Sequence, residues 1–112
     1  MAVILIIDDS PTELHLFQQM LTRSGFETLV ADSGEEGLRQ AKSSKPDCIL
    51  MDVVMPGMSG FQATRKLTKD PLTANIPVIM VTTKDQETDK IWGMRQGAVE
   101  YLVKPVTEKE LV

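Results

Sequence analysis

Five short apolar runs, separated by stretches with helical signals, set the limits on what this chain can fold into. The runs are Val3 to Ile7, Phe26 to Ala31, Cys48 to Met51, Val78 to Val81 and Val99 to Val103. At least three are apolar throughout rather than alternating, the pattern of parallel strands covered on both faces. After the first run, Ser10-Pro11-Thr12-Glu13 has the form of a capping box with proline at the first helical position, and Gly25 suits the helix end. Leu14, Phe17, Met20 and Leu21 then share one apolar face. Weaker segments of the same kind cover 33–42, 60–69 and 85–96. This order predicts an α/β fold, an open doubly wound five-stranded parallel sheet with helices on both faces. Residues 1–112 read as one domain, without repeats, low-complexity tracts or linkers.

The last six residues stand apart. Thr107-Glu108-Lys109-Glu110 is a second capping box, followed only by Leu111 and Val112. A fifth helix begins there and is largely missing, and a single turn is marginal by itself. The expectation is an apolar face left uncovered on the sheet and on the first helix, which would favour a homodimer.

Composition narrows the function classes. The chain carries a formal charge of −4, with no cluster of Lys and Arg of the kind that binds nucleic acid. No apolar run approaches the ~20 residues needed to span a bilayer, and the first residues lack a basic lead and a cleavage site. Cys48 is the single cysteine, so no internal disulfide is possible, which fits a cytoplasmic protein. Inside an apolar run it reads as a small hydrophobe. Neither Gly-x-x-x-x-Gly-Lys-Ser/Thr nor Gly-x-Gly-x-x-Gly occurs, so the nucleotide-binding loops are absent.

Open parallel sheets bind ligands at the carboxyl ends of their strands. The residues at those ends here are Asp8-Asp9 after the first strand, Asp52 after the third, Thr82 after the fourth and Lys104 after the fifth. Ser10 already serves as a helix cap, which leaves the acidic pair without a local structural task. Asp52 is a charge joined to Cys-Ile-Leu-Met, costly unless compensated. Three carboxylates brought together repel by roughly 1–4 kcal/mol per pair, so either one is protonated or a cation neutralises them. Oxygen ligands without His or Cys favour Mg2+, which commonly bridges a phosphate. Lys104 and Thr82 suit the oxygens of a phosphoryl group, and an Asp in this setting can be the nucleophile that takes it.

These motifs together resemble the CheY-like receiver domains of two-component response regulators along the whole chain. The matching stretches are Ile-Ile-Asp8-Asp9-Ser10, Leu-Met-Asp52-Val-Val-Met-Pro56-Gly57-Met-Ser-Gly60, Val-Ile-Met-Val-Thr82-Thr and Tyr101-Leu-Val-Lys104-Pro105. The resemblance implies Asp52 as phosphoacceptor, and Mg2+ held by Asp9, Asp52 and the Val54 backbone carbonyl, with Asp8 acting mainly through water. It implies Lys104 on the phosphoryl group, Thr82 and Tyr101 as the switch pair, and a cis peptide between Lys104 and Pro105. It also implies a histidine kinase of the chemotaxis type as phosphodonor. Such a protein is no enzyme beyond catalysing its own phosphorylation and dephosphorylation.

A narrower resemblance, to single-domain regulators of type IV pilus twitching motility, rests on Asp9-Ser-Pro-Thr-Glu13, Gly60-Phe-Gln-Ala-Thr-Arg65, Leu67-Thr-Lys-Asp70 and the run from Val81 to Gly93. It implies a downstream motility protein and no DNA-binding output. Val54 and Lys84 depart from a polar site lining and are expected to tune phosphoryl lifetime. Two other readings compete: a haloacid-dehalogenase-like Mg-dependent phosphatase and a phosphorylation-independent scaffold. The first lacks its Asp-x-Asp after the first strand, and the second gives no reason to keep the acidic set.

Overall fold

The computed structural model describes residues 2–111. Met1 and Val112, which bound the predicted first strand's lead and the predicted helical stub, lie outside them. Strands and helices alternate: β1 (Val3–Ile7), α1 (Pro11–Arg23), β2 (Glu27–Ala31), α2 (Gly34–Ser44), β3 (Cys48–Met51), α3 (Gly60–Lys69), β4 (Val78–Thr82), α4 (Glu87–Arg95), β5 (Glu100–Val103) and α5 (Glu108–Leu111). All pairings are parallel, in the order β2-β1-β3-β4-β5. The predicted strands and helices match these within one to two residues.

The strand side chains divide between two cores. Leu5, Ile7, Ile49, Met51 and Val78 point to the side where Ala41, Ala63 and Leu67 of α2 and α3 close over them. Ile4, Ile6, Leu50 and Val81 point to the other, beneath Phe17 and Leu21 of α1. The central strands are buried on both sides and the edge strands β2 and β5 only partly, which is why the former read as unbroken apolar runs.

Local chemistry fixes the helix ends. Ser10, Ser33 and Ser59 each accept a backbone N–H of the first turn of α1, α2 and α3. Ser59 and Gln62 form a full reciprocal box. Gly25, at φ +93°, ends α1: its N–H donates to Thr22 and that of Phe26 to Leu21, a Schellman closure.

The last turn covers part of the face expected to lie open. α5 is present as a single turn, its box closed by Thr107 and Glu110. Val106 and Leu111 are both 8% exposed and join the α1-side core, so Ile4, Ile6, Leu50 and Val81 remain buried. Two aliphatic anchors and a cap sustain the turn where helix propensity alone would not.

Candidate functional site

The sheet register builds the site. Ile7 lies beside Met51, so the next residues of the two strands, Asp8 and Asp52, leave the sheet together. The Asp52 N–H donates to the Ile7 carbonyl at 2.9 Å, and the Lys104 N–H donates to the Thr82 carbonyl at 2.8 Å. Because the chain reverses its direction of travel across the sheet after β2, the carboxyl ends of β1 and β3 flank a crevice.

Carboxylate oxygens of Asp8, Asp9 and Asp52 all lie within 4.8 Å of one another. Asp8 is 2% exposed and Asp52 8%, whereas Asp9 faces solvent. Lys104 Nζ sits 3.0 Å from Asp8 Oδ2, 3.8 Å from Asp52 Oδ1 and 4.0 Å from Glu13 Oε1. The ammonium also lies 5.7 Å from the centre of the Phe17 ring, which walls it off from the core. The Lys104–Pro105 peptide is cis.

Burial pushes the Asp52 carboxyl up to about 6, and the charge of Asp8 pushes the same way. Lys104, the Val53 N–H and the Thr82 hydroxyl oppose the rise. A carboxylate of this kind is still mostly ionised at neutral pH, yet is more basic, and so a better nucleophile, than one in solvent. Its second task is local: Asp52 Oδ1 accepts the Val53 N–H at 2.9 Å.

Donor chemistry suits a hard divalent cation. The three acids offer only oxygen, and one member is open to solvent, leaving room for metal-bound water. Three carboxylates against one ammonium leave two negative charges, the amount a divalent ion balances.

Thr82 is fully buried at the end of β4 and its Oγ1 accepts the Lys84 N–H at 3.3 Å. Tyr101 is half-buried, and its hydroxyl donates to the Lys84 carbonyl at 2.8 Å. Burial, with the charges of Asp89, Asp52 and Asp85, raises the Tyr101 phenol to about 12. The Val54 side chain is 58% exposed on the loop after β3. Lys84 does not stand as a lone rim charge, because its ammonium is 3.6 Å from Asp89 Oδ1 on α4.

One inference from the sequence fails. Asp8 does have a local task, since its Oδ1 accepts the Ser10 N–H at 3.0 Å. Ser10 thus takes its reciprocal partner from Asp8, and Glu13, expected to close the box, has an oxygen toward Lys104. The sequence reading also missed Glu13, Phe17 and Asp89. Only the packing of α1 over the end of β5, and of α4 against the loop after β4, brings them in.

The pattern of the response regulator receiver domain matches residues 4–112. Protein PilH of Pseudomonas aeruginosa is 60% identical over 112 residues, covering 100% of this chain and 93% of its own. The alkaline phosphatase synthesis transcriptional regulatory protein PhoP of Bacillus subtilis is 38% identical over 108 residues, and this chain spans only 44% of its length. Among solved structures, the Vibrio cholerae chemotaxis protein CheY4 superimposes with a TM-score of 0.93 at 32% identity, over 99% of this chain and 92% of that one. A receiver domain from Clostridium thermocellum gives 0.91 at 37% identity, over 99% and 88%. With the acidic pocket, the ammonium and the hydroxyl in place at the carboxyl edge of the same sheet, the chain belongs to the response regulator receiver domains, phosphoacceptor modules of two-component signalling rather than catalytic enzymes.

Proposed function

We propose that Asp52 takes a phosphoryl group from a histidine kinase of the chemotaxis type, with Mg2+ held by Asp8, Asp9, Asp52 and the Val54 carbonyl. The observation that carries this reading is the convergence of Asp8, Asp9 and Asp52 around a nearly buried carboxylate with Lys104 beside it. In the transfer, an Asp52 oxygen bonds to phosphorus as the phosphorus–nitrogen bond of the phosphohistidine breaks. The imidazole leaves with that electron pair and takes a proton from solvent. Bound Mg2+ supplies charge neutralisation for the incoming oxygens. Lys104 pairs with the phosphoryl charge, and the Thr82 hydroxyl donates to its oxygens.

The output is a change of shape. Thr82 and Tyr101 both meet the loop that leads into α4, so a Thr82 hydroxyl drawn toward the phosphoryl group releases the Lys84 N–H and biases α4 and β5. Val54, apolar and exposed, gives an attacking water no hydrogen bond, which lengthens the phosphoryl lifetime. The setting is cytoplasmic control of twitching motility through a downstream motility protein, supported by the likeness to PilH. No helix of the described residues is long and apolar enough to cross a membrane.

The test is intact mass after incubation with acetyl phosphate and Mg2+. Wild type gains one phosphoryl group and Asp52→Asn gains none. An equal gain in the variant overturns the assignment.

A further inference from the structure

Lys84 is where three parts of the molecule meet. Its N–H donates to Thr82 Oγ1 at 3.3 Å, its carbonyl accepts the Tyr101 hydroxyl at 2.8 Å, and its ammonium lies 3.6 Å from Asp89 Oδ1. Asp89 has a second duty, because its other oxygen accepts the Gln86 N–H that opens α4, at 3.3 Å. The ammonium therefore ties the loop after β4 to the first turn of α4 through the carboxylate that caps that turn.

This tie is weak and has a competitor nearby. The Lys84 side chain is 40% exposed, and an exposed pair at this distance contributes little. On its other side the loop is one hydrogen bond from the Thr82 hydroxyl, which acts on Asp52. The Lys84 carbonyl also holds the Tyr101 hydroxyl at 2.8 Å, so the same residue is tied at its backbone to Thr82 and Tyr101 and at its ammonium to Asp89. A phosphoryl group carries about −1.5 to −2 charges and three acceptor oxygens. A flexible four-carbon stem with three donors lets the ammonium follow the larger charge.

We propose that Lys84 is an exchange cation: its ammonium pairs with Asp89 while Asp52 is unmodified and moves to the phosphoryl oxygens when Asp52 carries them, releasing the first turn of α4. This rests on the reading of Asp52 as phosphoacceptor. The switch then has two arms, the Thr82 hydroxyl and the Lys84 ammonium, both pulling the same loop toward the site. Over the phosphoryl oxygens, the ammonium also blocks the approach of water.

Hydrogen exchange by mass spectrometry on the full chain tests it, before and after acetyl phosphate and Mg2+, with intact mass taken on the same samples. In wild type, the amides of residues 87–90 exchange several-fold faster once the phosphoryl mass appears. In Lys84→Met they exchange fast in both states, and the phosphoryl group decays several-fold faster. Lys84→Arg restores both behaviours. Asp89→Ala also frees the turn in both states but keeps the wild-type decay rate, which separates the loss of a cap from the loss of the cation. If Lys84→Met gains the phosphoryl mass and its residues 87–90 still speed up as in wild type, the exchange is overturned while the phosphoacceptor reading stands. If wild type gains no phosphoryl mass, both fall together.

Discussion

Asp52 holds its proton up to about pH 6 because it is buried beside Asp8. That raised value makes the folded state, without a divalent ion, bind this proton more tightly than the unfolded chain does. Below the ordinary carboxylate value of 3.8 both folded and unfolded chains are protonated there. Between 3.8 and about 6 the folded chain keeps a proton that the unfolded chain has lost, so stability falls as pH rises through this window. Asp52→Asn removes the effect. In metal-free buffer the melting temperature of the variant should therefore gain on wild type from about pH 4 to pH 7, and Mg2+ should raise wild type more than the variant. A constant gap between the two melting curves across that range would contradict it. At this scale much of the site was legible. Asp8, Asp9, Asp52, Thr82 and Lys104 each follow an apolar run, and the strand-end rule places such residues on one edge. Glu13 and Phe17 were not legible, since a first-turn acid and a core aromatic look the same whether or not a lysine from the other end of the chain lies against them.

The elements differ in how much freedom their joints allow. A Cβ added at Gly60 would run into the Asp52 carbonyl oxygen and come within 2.8 Å of the Val53 Cα, both backbone atoms that cannot swing aside. At Gly34 the neighbours are Met58 Cβ, Sδ and Cγ at 3.1–3.2 Å, a tight contact with a side chain rather than an overlap with backbone, which a shift of a few tenths of an ångström relieves. Gly60→Ala should therefore cost about 1–3 kcal/mol or more and slow phosphorylation by shifting Asp52. Gly34→Ala should stay within about 1 kcal/mol of wild type, because alanine is the better helix former. Denaturant melts and labelling rates of the two variants decide this, and equal losses would show that the joint before α3 is soft. The Ser59-x-x-Gln62 box that starts α3 stood in the sequence as plainly as that of α5, yet it was masked by the motif in which it lies. The extent of α5 was harder to read, because what holds it is Val106 and Leu111 reaching the core beneath α1, a long-range contact.

For the molecule as a whole, the question is how a change at one edge reaches a distant face. Trp92 on α4 is 49% exposed and is the only tryptophan. A single hydrogen bond contributes about 0.5–1.5 kcal/mol net, so the Thr82 contact can move only a lightly held part. Phosphorylated wild type should change its Trp92 emission, while Thr82→Ala should take up phosphoryl yet show little of that change. An unaltered response in Thr82→Ala would place the trigger elsewhere.

The part most lightly held is α4. Of its nine residues only Gly93 is buried, against four of ten in α3. Ile91, Trp92 and Met94 all lie 46–49% exposed, so about half of each apolar side chain faces solvent. Substitution at such positions leaves no hole and usually costs within about 0.5 kcal/mol. If α4 is the face that phosphorylation, biasing it as proposed above, presents to a partner, its exposed positions are ones the fold scarcely constrains, while the strand ends of the site tolerate little. A duplicated copy of this gene could be redirected to a new listener by changes in one helix, and it would keep its phosphoryl chemistry throughout.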